Sequence, residues 1–165
     1  MLRLPDLTDE DHQDCWQLAQ EQTLRKSEKA RKGRDDETIM DETYRGLTCE
    51  RSLFRSMGED MYLECVARQE VPHASYGSDG GDIDVKSAEM KSPSYEYRLA
   101  VAYDNLKRDQ ETKRYFLVIR QFVKGKGFVF WSAGWATKEE ILNSTNELFY
   151  GKPNLTVSQL HSPDA

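Results

Sequence analysis

The spacing of apolar and polar positions changes period along the chain. From Asp11 to about Lys32 the composition is helical, with Trp16, Leu18 and Leu24 as the main apolar contacts. Thr8 stands where it can cap this helix, and Asp9, Glu10 and Asp11 suit the positive end of the helix dipole. A second helix is predicted from about Asp41 or Leu47 to Arg68, with Leu47, Leu53, Phe54 and Met57 at helical spacing and Gly58 as a point of interruption. Pro72 and the cluster from Ser75 to Gly81 read as a loop. The period then becomes two. Asp82–Val85, Ala88–Lys91 and Tyr95–Val101 alternate, whereas Tyr115–Ile119 is continuously apolar, as in a central strand buried on both faces. Phe128–Trp131 is a fifth strand. Thr137 and Glu140 form a capping box, and the helix they open is predicted to run to about Tyr150, before Gly151 and Pro153. Helix, helix, several strands and helix make an α+β layout with one mixed sheet.

The strand at Asp82–Lys91 carries the candidate chemistry. If Lys86-Ser87 is a two-residue turn, Asp84 faces Glu89 and Asp82 faces Lys91. One side of that hairpin is then apolar (Ile83, Val85, Ala88, Met90), and the other gathers Asp82, Asp84, Glu89 and Lys91. Three carboxylates on one face repel each other. A divalent cation such as Mg²⁺ relieves that repulsion, and a lysine beside it can activate water and stabilise charge on a phosphate. This register explains all the alternating positions and is preferred, although Lys-Ser is not a favoured hairpin pair. In a second register Asp84-Val85-Lys86 is the acid-x-lysine element, and Asp79 or Asp82 is the upstream acid.

Composition adjusts this picture. The chain has 165 residues, enough for one domain with its own core, and a net charge of −6. A mildly acidic balance is not the usual mark of a nucleic-acid binder. The charge is polarised, however: residues 24–34 hold six basic residues against one acid, and residues 104–126 hold seven against three. Arg25, Lys26 and Lys29 in the first stretch, and Lys124 and Lys126 in a turn of the second, are therefore candidate phosphate contacts. No apolar run is long enough to span a membrane, and the first residues lack the apolar core of a signal peptide. Cys15, Cys49 and Cys65 are odd in number and far apart, so they read as small buried residues in a reducing cytoplasm. Trp131 and Trp135 read as core. Gly77, Gly80 and Gly81 make no phosphate loop, so no nucleotide cofactor is expected.

Several ordered segments resemble the PD-(D/E)XK, or restriction-endonuclease-like, nucleases, above all their small phage and plasmid members. Gly46-Leu47-Thr48-Cys49-Glu50 is similar to their GL-x-GE helix. SDGGDI resembles the approach to the first metal-binding acid, and Glu89-Met90-Lys91-Ser92 resembles the acid-x-lysine element. YFLVI, AGWATKEEIL and NLTVSQLHSP resemble later core segments, so the likeness spans roughly residues 46–163. It implies a restriction-endonuclease-like core, a mixed sheet flanked by helices, in one domain over 1–165 with 1–40 as an N-terminal helical extension. It also implies hydrolysis of DNA phosphodiesters in the cytoplasm of a bacterial host cell. Asp82, Asp84, Glu89 and Glu50 would hold Mg²⁺ or Mn²⁺, with Asp84, Glu89 and Lys91 catalytic. DNA is the implied partner, and a homodimer would suit the cutting of two strands. A non-catalytic binding or inhibitory protein on the same fold is the alternative.

Overall fold

The computed structural model describes residues 1–71 and 78–164, without the side chains of residues 28 and 29. In chain order its elements are β1 (Leu2–Arg3), α1 (Asp9–Arg25), α2 (Glu28–Arg31), α3 (Asp36–Arg55), α4 (Glu59–Glu70), β2 (Ile83–Glu89), β3 (Arg98–Ala100), α5 (Tyr103–Arg108), β4 (Arg114–Val123), β5 (Gly127–Thr137), α6 (Lys138–Leu142) and β6 (Asn154–Thr156). Four strands form a mixed sheet in the order β1-β5-β4-β2, in which β4 runs parallel to β2 and antiparallel to β5. β3 and β6 make a small antiparallel sheet. The chain is thus an α+β protein, with helices ahead of a mixed sheet.

β4 is the central strand that its apolar run predicts. Its even positions Phe116 and Val118 pack with Ile83, Val85 and Phe130 under Cys49, Leu53 and Phe54 of α3 and Cys65 of α4. Its odd positions Tyr115, Leu117 and Ile119 pack with Leu99, Leu106, Ile141 and Leu155 on the opposite face. α1 lies outside α3, burying Cys15 and Ala19 against Leu47. All three cysteines are buried and free. The boundary drawn at residue 40 falls inside α3.

Several elements differ from their sequence-based limits. The first helix stops at Arg25 because Lys26 turns extended, and Ser27 caps the short α2 through Ala30 N. The second helix begins earlier, at Asp36, where Asp35 caps it. It breaks at Gly58, whose φ of 109° lies outside helical space. The helix opened by the Thr137 capping box ends at Leu142 rather than near Tyr150. There the polar side chains of Ser144 and Asn146 turn to the carbonyl of Asn154, and Asn154 donates to the carbonyls of Glu147 and Lys152. Such side chains compete with helical backbone bonding.

The largest correction concerns Lys86-Ser87. These residues form no turn; they lie inside β2, which pairs in parallel with β4 from Ile83↔Arg114 to Glu89↔Arg120. Neither residue readily takes the positive φ of a tight hairpin, and the parallel ladder satisfies the backbone without one. The loop residues Pro72 and Ser75–Gly77 lie outside the described residues.

Candidate active site

The parallel strand decides which side chains meet. Ile83 and Val85 point to the α3–α4 side, so alternation sends Asp84 and Lys86 to the other face. Asp84 is 8% exposed. Its Oδ2 is sealed from solvent, and the Lys86 ammonium lies 2.7 Å from it as an ion pair. β2 has β4 on one side only, and its other edge is met by the preceding turn. Asp79 N donates to Ile83 O at 2.8 Å, and Asp79 Oδ2 accepts from Val85 N at 2.7 Å. Asp79 is thereby clamped to the free edge of the strand, where its carboxyl interacts with those of both Glu50 and Asp84.

Glu50 reaches this edge from α3. Gln69 of α4 holds it: Gln69 Nε2 lies 3.5 Å from Glu50 Oε1 and donates to Leu47 O at 3.0 Å, while Gln69 Oε1 accepts from Arg51 Nε at 2.8 Å. Burial raises the Glu50 carboxyl to about 7, and the Asp84 charge adds to the effect. Burial and the charges of Glu50 and Asp84 likewise hold Asp79 well above the ordinary carboxylate range. Burial works against the Lys86 ammonium, but the Asp84 carboxylate more than offsets it, so Lys86 keeps its proton more firmly than usual. Asp109, buried at the end of α5, is raised by burial and by the Asp84 charge, and it also faces Lys86.

The first-register residues go elsewhere. Glu89 lies an odd number of positions from Asp84 and so on the other face of β2. There it accepts from Arg120 Nε at 2.8 Å, while Arg120 Nη2 reaches Asp41 at 3.1 Å. Glu89 thus neutralises a buried guanidinium. Lys91 follows the strand with an exposed side chain, and its backbone N donates to Tyr97 Oη at 2.7 Å. Asp82 precedes the strand, 3.5 Å from Arg114 Nη2, with its carbonyl accepting from Lys113 N and Arg114 N. The structure brings Glu50, Asp84, Asp79 and Lys86 together, and leaves Asp82, Glu89 and Lys91 outside that cluster.

The proposed phosphate contacts are also separate. Arg25 is exposed at the end of α1, Lys26 caps it, and the Lys29 side chain is outside the described residues. Lys124 is exposed in the β4–β5 turn, and Lys126 pairs with Asp6 at 3.1 Å. Asp84 is level with Tyr115 at the start of β4, whereas Lys124 follows its end. At about 3.3 Å per residue that is roughly 30 Å along the sheet. Asp109 and the supporting Gln69 left no signal in the sequence, because neither stands at a motif spacing.

The donor chemistry suits a hard cation: carboxylate oxygens, one of them, Asp84 Oδ2, shielded from solvent. Among the described residues, no three His, Cys, Asp or Glu side chains surround a common metal position. The carboxyls of Glu50 and Asp84 both interact with that of Asp79, and the protons held by Glu50 and Asp79 are ones a cation would displace. No helix among the described residues is long and apolar enough to cross a membrane. Comparison with family models, curated proteins and solved structures gives no match.

Proposed function

We propose that the protein is a metal-dependent nuclease hydrolysing DNA phosphodiester bonds on a restriction-endonuclease-like core. Its acid-x-lysine element is Asp84-Val85-Lys86, its upstream acid is Asp79, and its helix acid is Glu50. The observation that carries this reading is the pairing of buried Asp84 with half-buried Lys86, 2.7 Å apart, set beside two carboxyls with raised proton affinity. Asp84, Asp79 and Glu50 would hold Mg²⁺ or Mn²⁺. The bound cation would lower the pKa of a water and neutralise charge on the phosphate. Lys86, held protonated by Asp84, acts as a fixed positive charge and proton donor toward a phosphate oxygen rather than as a base. Gln69 positions Glu50 from behind. Glu50 and Asp79 must lose their protons to take a cation, so activity should rise with pH through about 7.

The purified chain is incubated with supercoiled plasmid and single-stranded DNA in Mg²⁺, Mn²⁺ or EDTA. Asp84→Asn and Lys86→Ala should each lower metal-dependent cleavage by about 100-fold or more while remaining folded. Glu89→Ala should leave cleavage in place and lower the melting temperature, because buried Arg120 keeps only its bond to exposed Asp41. Wild-type cleavage in folded Asp84→Asn and Lys86→Ala would overturn the assignment. A second reading, a non-catalytic binding protein on the same fold, is favoured by one observation: no three ligand side chains surround a common position among the described residues. Absence of cleavage on every DNA with every metal, with tight binding of a protein partner, would select it.

A further inference from the structure

Lys86 belongs to two features at once. One side of it meets Asp84, and the other lines a groove of about 390 Å³ between β2 and the small sheet. We propose that this groove receives one unstacked nucleotide of a single strand, so that the substrate class is single-stranded or frayed DNA rather than closed duplex. The groove's role as a substrate site rests on the nuclease reading; its ability to bind a single strand does not.

Its walls combine cations and rings. Lys86, Arg98 and Lys152 bring cationic groups, Lys86 paired with Asp84 and Arg98 3.6 Å from Glu96, and among the described residues no Asp or Glu lines the groove. Tyr95, Tyr97 and Phe149 supply aromatic surface. Tyr97 is buried and anchored, its hydroxyl accepting from Lys91 N at 2.7 Å. Tyr95 stands against it, ring centroids 4.9 Å apart, yet remains 44% exposed. It is therefore an open aromatic face on a fixed support, suited to stacking a base. Arg98 is fixed too, donating to Asn154 Oδ1 at 2.7 Å with its guanidinium 5.9 Å from the Phe149 ring centroid. Lys152 is exposed at the rim, free to follow a phosphate. Bases within a duplex are stacked and paired, so only a splayed or single-stranded base can enter such a concavity. A nucleotide seated there has its phosphates close to Lys86, which ties the groove to the carboxylate cluster.

The test is fluorescence anisotropy of the full chain in EDTA, so that no turnover occurs, with a short labelled oligothymidylate and a blunt duplex of equal length. Wild type should bind the single strand more tightly than the duplex. Tyr95→Ala and Lys152→Glu should each weaken single-strand binding about tenfold with melting temperatures unchanged. Wild-type affinity in both variants, or equal affinity for duplex and single strand, would overturn the proposal. The two readings fail separately. If wild type never cleaves but the variants lose oligothymidylate binding, the groove stands and the nuclease reading falls. If Asp84→Asn abolishes cleavage but Tyr95→Ala and Lys152→Glu bind normally, the groove falls alone.

Discussion

Asp11 and Glu50 are both shielded carboxylates, and their neighbours push them in opposite directions. Asp11 is 2% exposed where α1, α3 and α4 meet. It accepts from Arg51 Nη1 at 3.1 Å, from Arg55 Nε at 3.0 Å and Nη2 at 2.8 Å, and from the Tyr62 hydroxyl. Burial alone would raise it, but Tyr62, Arg55 and Arg51 bring it down to about 2. Its contribution to stability is therefore present above its ordinary value near 4 and is lost as pH falls toward 2. Asp11→Ala should cost about 3–5 kcal/mol in urea unfolding, because buried Arg51 loses a counter-charge. At Glu50 the hydrogen bonds with Asp79 and Gln69 and the Lys86 charge are weaker than the effect of burial, which takes it from 4.5 to about 7. The folded state then holds a proton that the unfolded state has released, so in EDTA this group lowers stability as pH rises between those values. Thermal melts of wild type and Glu50→Gln between about pH 5 and pH 8 read this out. The wild type should show the falling limb and Mg²⁺ should reverse it at pH 8, whereas Glu50→Gln should show a shallower limb, that of Asp79, and a smaller Mg²⁺ effect. Superimposable pH curves for the two proteins would count against a titrating Glu50.

At the scale of elements, β5 shows how one residue places a chain segment. Leu117 is opposite Gly134 and Val118 opposite Ser132, which leaves Ala133 as a bulge. Gly134 has a φ of 128°, and a Cβ built there would lie 2.3 Å from His161 O. The bulge lets the C-terminal segment bridge β5, with His161 N donating to Trp135 O at 2.8 Å and the two rings 4.3 Å apart. Gly134→Ala should cost about 1–3 kcal/mol in denaturant unfolding and free residues around His161 for faster amide exchange. Neither consequence was legible in AGWATKEEIL, where Gly134 looks like any strand glycine. The capping box three residues on was legible, because Thr137 and Glu140 bond to each other's backbone within one turn. The end of that helix was not, since it depends on Asn154, eight residues beyond Asn146. Local chemistry thus marked the two helix starts that carry a capping box, at Thr8 and Thr137, better than it marked where those helices stop.

For the whole molecule, the decisive event is the crossover from β2 through β3 and α5 to the parallel strand β4. It turns an apparent hairpin into one continuous strand. That separates Asp84 from Glu89 by a strand face and joins Asp84 to Lys86, Asp79 and the distant Glu50. The net charge of −6 is likewise resolved in space: shielded acids gather at the edge of β2, cations line the neighbouring groove, and several basic side chains of the early stretch are spent internally, Arg31 on Asp36 and Arg34 on Glu42. By itself the sequence determined the α+β order, the central apolar strand, the buried cysteines and the set of acids and lysines available, because these follow from periodicity and side-chain chemistry within a few residues. Only the tertiary structure decided which of those acids meet. Alternation along a strand assigns every residue to a face, but the partner strand decides whether the chain turns back at Lys86 or carries straight through to Glu89.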